Sequence, residues 1–250
     1  MTINAIADSQ RTAAKVVGST YLFVLVLALF AGVYVPFQLI VPDNAAETAR
    51  NIIAHEQLFR LGIASDVIAF AADVVLLTAL YVVLAPVNRS LALLAAFWRL
   101  LETTVFVVIT LSGFDVLRVL SGAEYLRALE SEQLHALARL SIGAHASGYN
   151  VGLVFAGIGS SVFCYLWFKS KYVPRVLAAW GVFSSLLLAA CTFSFIVFPD
   201  LAKTIHVGYY GGPIFIFELA IGLWLLLKEL RPSTSVVTNE ASDQARAGDA

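Results

Sequence analysis

The sequence predicts an all-α, polytopic membrane bundle of about six transmembrane helices, and three observations carry that expectation. Of the 250 residues, 60% are hydrophobic and only 13% charged, with a mean hydropathy of +0.84, whereas soluble domains are about half apolar and a quarter charged. The apolar residues gather into six runs, at 16–35, 61–84, 90–113, 143–168, 176–198 and 208–227, each long enough to cross a ~30 Å hydrocarbon core as a helix. Helix is also the conformation that satisfies every backbone polar group within an isolated crossing segment.

The first run follows Arg11 and Lys15 and so imitates a secretory signal peptide. It is read as a span because it exceeds an apolar core of about 7–15 residues and lacks a small-x-small cleavage site. In the loop after it, Asn44-Ala-Ala-Glu47 has a capping-box pattern, and Ala49, Ile52, Ile53 and Phe59 recur at helical spacing, which predicts a short interfacial helix feeding the second span. The other long loop repeats the device, with Ser121-Gly-Ala-Glu124 and then Ser131 before Leu134, Leu137 and Ala138, predicting a second interfacial helix. Residues 231–250 are polar, lack aromatics and show no periodicity, the signature of a disordered tail. The expected organisation is a cytoplasmic segment at 1–15, a single transmembrane unit at 16–230 and a cytoplasmic tail at 231–250.

On an alternating path, Arg11, Lys15, Arg89, Lys169, Lys171, Arg175, Lys228 and Arg231 fall on one side of the membrane. Arg50, Arg60, Arg118, Arg127, Arg139 and Lys203 fall on the other. The first set crowds short connections, notably Lys169-Ser-Lys171-Tyr-Val-Pro174-Arg175, so the positive-inside rule puts both termini in the cytoplasm and the long loops outside. The net charge of −1 is spread without a basic face, which argues against a nucleic-acid partner. Cys164 and Cys191 both lie in apolar runs, a placement unsuited to a disulfide framework or thiolate metal site.

Ionisable side chains near a bilayer centre cost about 2.5–3.5 kcal/mol each on insertion scales, so each calls for a partner or a purpose. Asp66 and Asp73 are seven residues apart, on one face of the second span and about 10 Å apart along its axis. Arg99 and Glu102, at i and i+3, can touch. Counting along the helices places Asp73, Arg99 and Glu102 near mid-membrane, and Asp66 and His145 nearer the outer face. Glu218 is central if the sixth helix starts at Gly208, and shallower if Gly211-Gly212-Pro213 opens it. Four acids then oppose one guanidinium that stays protonated in proteins, so protons, water or a cation must supply compensation. Protons or a small solute, besides the lipid bilayer, are the partners this imbalance calls for. A purely structural account is also open, with Arg99, Glu102 and Asp73 fixing helix register.

In the fourth span Gly148, Gly152, Ala156 and Ser160 recur every four residues, a small-residue stripe that lets helices pack closely. His145 and Tyr149 border it, so the histidine should face protein, as a neutral imidazole bonded to a carboxylate such as Asp66. No zinc pattern is present: there is no His-x-x-x-His and no closely spaced cysteine pair. Gly157-Ile-Gly159 lies within a span rather than in a phosphate loop, and no Gly-x-Ser-x-Gly elbow supports serine hydrolysis, Ser65 beside Asp66 being the one hydroxyl of interest. No metal or cofactor is expected.

Three stretches, Asn88-Arg-Ser-Leu-Ala-Leu-Leu-Ala-Ala-Phe-Trp-Arg99, Tyr172-Val-Pro174-Arg175 and Pro213-Ile-Phe-Ile-Phe-Glu218-Leu, resemble a bacterial multi-pass membrane family, domain of unknown function 4386, over about residues 13–230. The resemblance implies a multi-helix membrane fold and supplies no reaction, substrate or catalytic residue. Three functions stay open from the side chains: a proton-linked transporter or permeation protein for a small solute; a membrane-embedded enzyme or lipid-binding protein acting near the outer leaflet through Asp66, His145 and Glu218; and a non-catalytic envelope or partner-binding bundle. The lack of a detectable inverted repeat weighs against transport.

Overall fold

A computed structural model describes residues 3–228 and 230; the expected tail at 231–250 lies outside them. All regular structure among the described residues is helical. In chain order it comprises α1 (Ile3–Leu29), a π-helical turn (Phe30–Tyr34), α2 (Val35–Leu39), α3 (Ala45–Ala54), α4 (Glu56–Leu84), α5 (Arg89–Leu120), a 3₁₀ turn (Glu124–Leu126), α6 (Ser131–Ser170), α7 (Arg175–Val197), α8 (Leu201–Thr204) and α9 (Val207–Leu227). Six stretches are long and apolar enough to cross a membrane: Asp8–Leu39, Glu56–Leu84, Arg89–Leu120, Ser131–Ser170, Arg175–Val197 and Val207–Leu227.

These six helices close a ring in chain order. α1 packs on α4, α4 on α5, α5 on α6, α6 on α7, α7 on α9, and α9 returns to α1. The seam that closes it is made by two glycines: a Cβ on Gly18 of α1 would stand 2.8 Å from the carbonyl oxygen of Gly222 on α9, a proximity that only small residues allow. The start of α1, the α4–α5 and α6–α7 turns and the end of α9 meet at one end of the ring, called here the terminal end; α3, α8 and the longer loops lie at the distal end.

Local chemistry explains the boundaries. Pro36 has no N–H and crowds the preceding turn, and the chain absorbs it by widening into a π turn, Val35 N–H donating to the Phe30 carbonyl, so the first helix runs on to Leu39 instead of stopping at residue 35. It also begins early, and Gln10 Nε2 donates to the Val83 carbonyl at 3.1 Å, so Gln10, Ala13 and Ala14, ahead of residue 16, pack on the bundle. Asn44 caps α3, accepting from Glu47 N–H at 2.9 Å while its amide donates to the Glu47 carboxylate at 2.9 Å. The second interfacial helix is not separate. Ser121 to Glu130 holds only the 3₁₀ turn, and the segment from Ser131 is the first part of a 40-residue α6 that passes through Gly143 unbroken. No proline interrupts it, and its true cap is Glu130 in a capping box with Gln133. At ~1.5 Å per residue α6 is about twice the hydrocarbon thickness, so its first turns project at the distal end, where α3 leans on them. It ends on Lys171 in the left-handed region, φ 60°, and Pro174 starts α7.

Candidate functional site

The interior of the ring changes character along its axis. At the terminal end it is filled: Val83, Leu84, Leu166, Trp167 and Leu225 are each at most 2% exposed.

Above that plug lies a charged layer. Arg99 Nη1 donates to Glu102 Oε1 at 3.0 Å one turn along α5, and the second carboxylate oxygen stands 2.7 Å away. Asp73 of α4 approaches Arg99 Nη2 at 3.6 Å, an ion pair beyond hydrogen-bond range. The Arg99 stem fits because Gly159 of α6 has no side chain; a Cβ there would meet Arg99 Cγ at 2.8 Å. Thr103 adds a hydroxyl bond to the Arg99 carbonyl at 3.1 Å. Glu218 of α9 and Tyr21 of α1 lie within electrostatic reach of Arg99, as does Cys164 of α6, which adjoins Ser185 of α7. Every span of the ring therefore presents a polar group to one layer. Asp73 Oδ1, Glu102 Oε2 and Ser185 Oγ are buried there without a hydrogen-bond partner among the described residues.

The next layer is aromatic. Phe70 of α4, Phe106 of α5 and Tyr149 of α6 form a chain with ring centroids 5.5 and 4.4 Å apart. Tyr149 has Asp66 within electrostatic reach to one side and Glu102, Asp73 and Glu218 to the other.

Beyond the aromatics a cavity of about 100 Å³ opens among the π turn, α2, α4, α5 and α6, and Asp66 and His145 both line it. Ile109 O is 3.2 Å from His145 Nδ1. A carbonyl only accepts, so Nδ1 carries the proton and, in the neutral ring, Nε2 keeps its lone pair. The partner of His145 is thus a main-chain carbonyl and not the Asp66 carboxylate, to which no hydrogen bond or ion pair is made among the described residues.

The inferred polar set is thereby divided between two levels. Asp73, Arg99, Glu102 and Glu218 share the charged layer, Asp66 and His145 share the cavity, and Tyr149 stands between. Asp66 and Asp73 do occupy one inward face, as their spacing implies. Glu218 does not join Asp66 and His145, because α9 starts at Val207, capped by His206, and carries Pro213 inside the helix; that start places the acid mid-helix. Tyr21 went unseen because a tyrosine in an apolar run reads equally well as lipid-facing. Among the described residues no three His, Cys, Asp or Glu side chains are placed to hold a metal ion.

The small residues of α6 serve two neighbours. Gly148 and Gly152 admit Ile109 and Phe106 of α5, Gly157 faces the Ser185 carbonyl and Ala189 of α7, and Ala156 and Ser160 are buried beside them. The Gly157-Ile-Gly159 pair is a packing device for two different helices.

A ring of six membrane-length apolar helices around a charged layer is a multi-pass membrane protein. The chain belongs to the family described as Domain of unknown function (DUF4386), whose model matches residues 16–228. No curated protein and no solved structure matches it. Residues that carry the family resemblance hold the site: Asn88 caps α5 by accepting from Leu91 N–H at 3.0 Å, Arg99 and Glu218 reach the charged layer, and Pro174 starts α7.

Proposed function

We propose that this protein is a proton-linked transporter or permeation protein for a small solute, lying in the cytoplasmic membrane of a bacterium with both termini in the cytoplasm. The observation that carries this reading is the make-up of the charged layer, where Asp73 and Glu102 pair with one guanidinium and a third carboxyl group, Glu218, lies within its electrostatic reach. With Arg99 permanently charged, two acids are in excess in a dry interior, and that excess is neutralised by protons or by a cationic guest. Tyr149, whose hydroxyl both donates and accepts, stands between Asp66 in the cavity and the acids of the layer, an order suited to handing protons inward. The filled terminal end gives the complementary barrier, so the cavity and the plug correspond to the open and closed sides of one state. The orientation rests on the basic residues at the terminal end, which crowd its short turns.

The test is reconstitution into liposomes with a trapped pH dye, with an imposed potential and a panel of small amines, amino acids and neutral solutes. Wild-type protein should show a pH-dependent flux that Glu102→Gln and Asp73→Asn abolish while keeping their elution and unfolding profiles. No flux for any solute, or equal flux in the variants, sinks the reading. A carboxy-terminal green fluorescent fusion should fluoresce, and an alkaline phosphatase fusion in the loop after Leu120 should be active, if the orientation is right.

One observation favours a second, structural reading: Arg99 already has two ion-pair partners, Glu102 on its own helix and Asp73 across the α4–α5 interface. If register is all they provide, the neutral triple Arg99→Met, Asp73→Asn, Glu102→Gln should leave any flux intact.

A further inference from the structure

The cavity at the distal end is a second site, separate from the charged layer, and it carries an acid but no cation. Its walls are mainly apolar, with Val35, Leu39, Ile63 and Val116 among them, and no lysine or arginine lines it. The ionisable groups that do are Asp66 and His145. Asp66 is a carboxylate without a protein donor among the described residues, and a carboxylate only accepts. His145 spends its Nδ1 proton on the Ile109 carbonyl, so in the neutral ring Nε2 accepts as well. The Thr110 hydroxyl donates to the Phe106 carbonyl at 2.8 Å, which leaves its oxygen lone pairs. Three of the polar groups are thus acceptors, beside the Ser112 and Ser141 hydroxyls, which can donate or accept, in a chamber of about 100 Å³. An apolar cavity of roughly 150 Å³ holds benzene, so this smaller chamber suits a shorter, aliphatic guest.

We infer that this cavity binds a small lipophilic amine, its ammonium group held by Asp66 and His145 Nε2 and its hydrocarbon body by the apolar walls. An ammonium brings three donors and a positive charge, which are what the acceptors require, while an anionic guest would meet the Asp66 charge with no cation to offset it. The backbone is shaped for the guest: the π turn and Pro36 carry Ala31, Val35 and Leu39 to one wall, and irregular helical turns of this type often mark binding sites. The inference concerns equilibrium binding and holds whether or not the charged layer moves protons.

The experiment uses full-length protein in lipid nanodiscs at pH 8, with 3-fluoropropylamine followed by fluorine NMR. The isosteric 3-fluoropropan-1-ol and the anion 3-fluoropropanoate serve as comparators. Wild-type protein should prefer the amine to the alcohol by about tenfold or more, the worth of a charge-assisted hydrogen bond, and should not bind the acid. Asp66→Asn, which keeps the side-chain shape, should erase that preference while leaving alcohol binding in place. Ala31→Phe, which fills the chamber from the π turn, should block amine and alcohol together. Equal binding of amine and alcohol by wild type overturns the inference, as does a preference that survives Asp66→Asn. Unchanged amine binding by Ala31→Phe places the probe in lipid or on the surface and overturns it too.

Discussion

The two ends of the ring are built from the same six helices, yet one is solid and the other hollow. At the terminal end the inward positions are Leu80, Val83, Leu84, Leu166 and Trp167, all at most 1% exposed. At the distal end Ala31, Gly62, Ser112, Gly113 and Ser141 line the cavity, and one wall is displaced by the π turn before Pro36. A protein interior is close-packed by default, so a persistent hollow is produced by small side chains and an irregular backbone rather than by a missing helix. Between the ends lies a charged layer whose attraction and desolvation oppose one another.

The sharpest way to break the comparison is to remove the cation of that layer. Arg99→Met leaves Asp73 and Glu102 buried against each other, and losing one partner of a buried ion pair costs about 3–5 kcal/mol. The expected result is loss of monodisperse protein in detergent, seen by size exclusion and thermal unfolding. Adding Asp73→Asn and Glu102→Gln should restore much of the stability, since replacing a whole buried pair by neutral groups is often close to free. A single Arg99→Met protein as stable as wild type would show that the layer is already neutral without its guanidinium.

Next in size is a matched truncation at the two ends. Leu84 and Leu39 are both fully buried, but Leu84 sits in the plug and Leu39 on the cavity wall. The loss from Leu→Ala grows with the void left behind. Leu84→Ala opens a new void in a rigid region and should cost about 4 kcal/mol, whereas Leu39→Ala adjoins space already present and should cost about 2 kcal/mol. Thermal unfolding of the two variants in one detergent measures the difference. Equal losses would mean that the distal end is as rigid as the plug.

The parts of this architecture that were legible in the sequence are those written in single runs of residues. The six spans stand out because each is an unbroken apolar stretch, and the shared face of Asp66 and Asp73 follows from helical period alone. The capped α3 follows from Asn44 and Glu47. What escaped depends on neighbours. Pro36 looks like a helix end, and only the closed ring shows that a π turn carries the helix past it. Gly143 and the polar residues before it look like a joint, but with good helix formers on both sides and no proline the helix continues. The carbonyl that holds His145 is 36 residues away on α5 and leaves no trace in side-chain pattern. Tyr21 reached the charged layer only once α1 was placed between α4 and α9.

A smaller effect tests the seam at the solid end. In Gly18→Ala the new methyl meets the Gly222 carbonyl oxygen at 2.8 Å, whereas in Gly222→Ala it meets the Leu22 side chain at 2.9 Å. Backbone yields less readily than a rotatable leucine, so Gly18→Ala should cost about 1–3 kcal/mol, the usual range for overpacking, and Gly222→Ala less. The ranking of the two unfolding temperatures checks this, and a reversed order would place the flexibility of the seam in α9.

The smallest expected change separates two glycines of α6. A methyl on Gly152 collides with the Phe106 ring, while one on Gly143 meets nothing within 4 Å. Glycine inside a helix costs about 0.5–1 kcal/mol relative to alanine when no contact opposes the change. Gly143→Ala should therefore raise the unfolding temperature slightly and Gly152→Ala should lower it. The pair also decides whether α6 is one rod. If Ser131 to Ile142 were a separate element lying on the membrane, a hinge at Gly143 would be needed and alanine there would strain it. Stabilisation by Gly143→Ala supports the continuous helix, whose projecting turns position Ser141, Ile142 and His145 as one wall of the distal cavity.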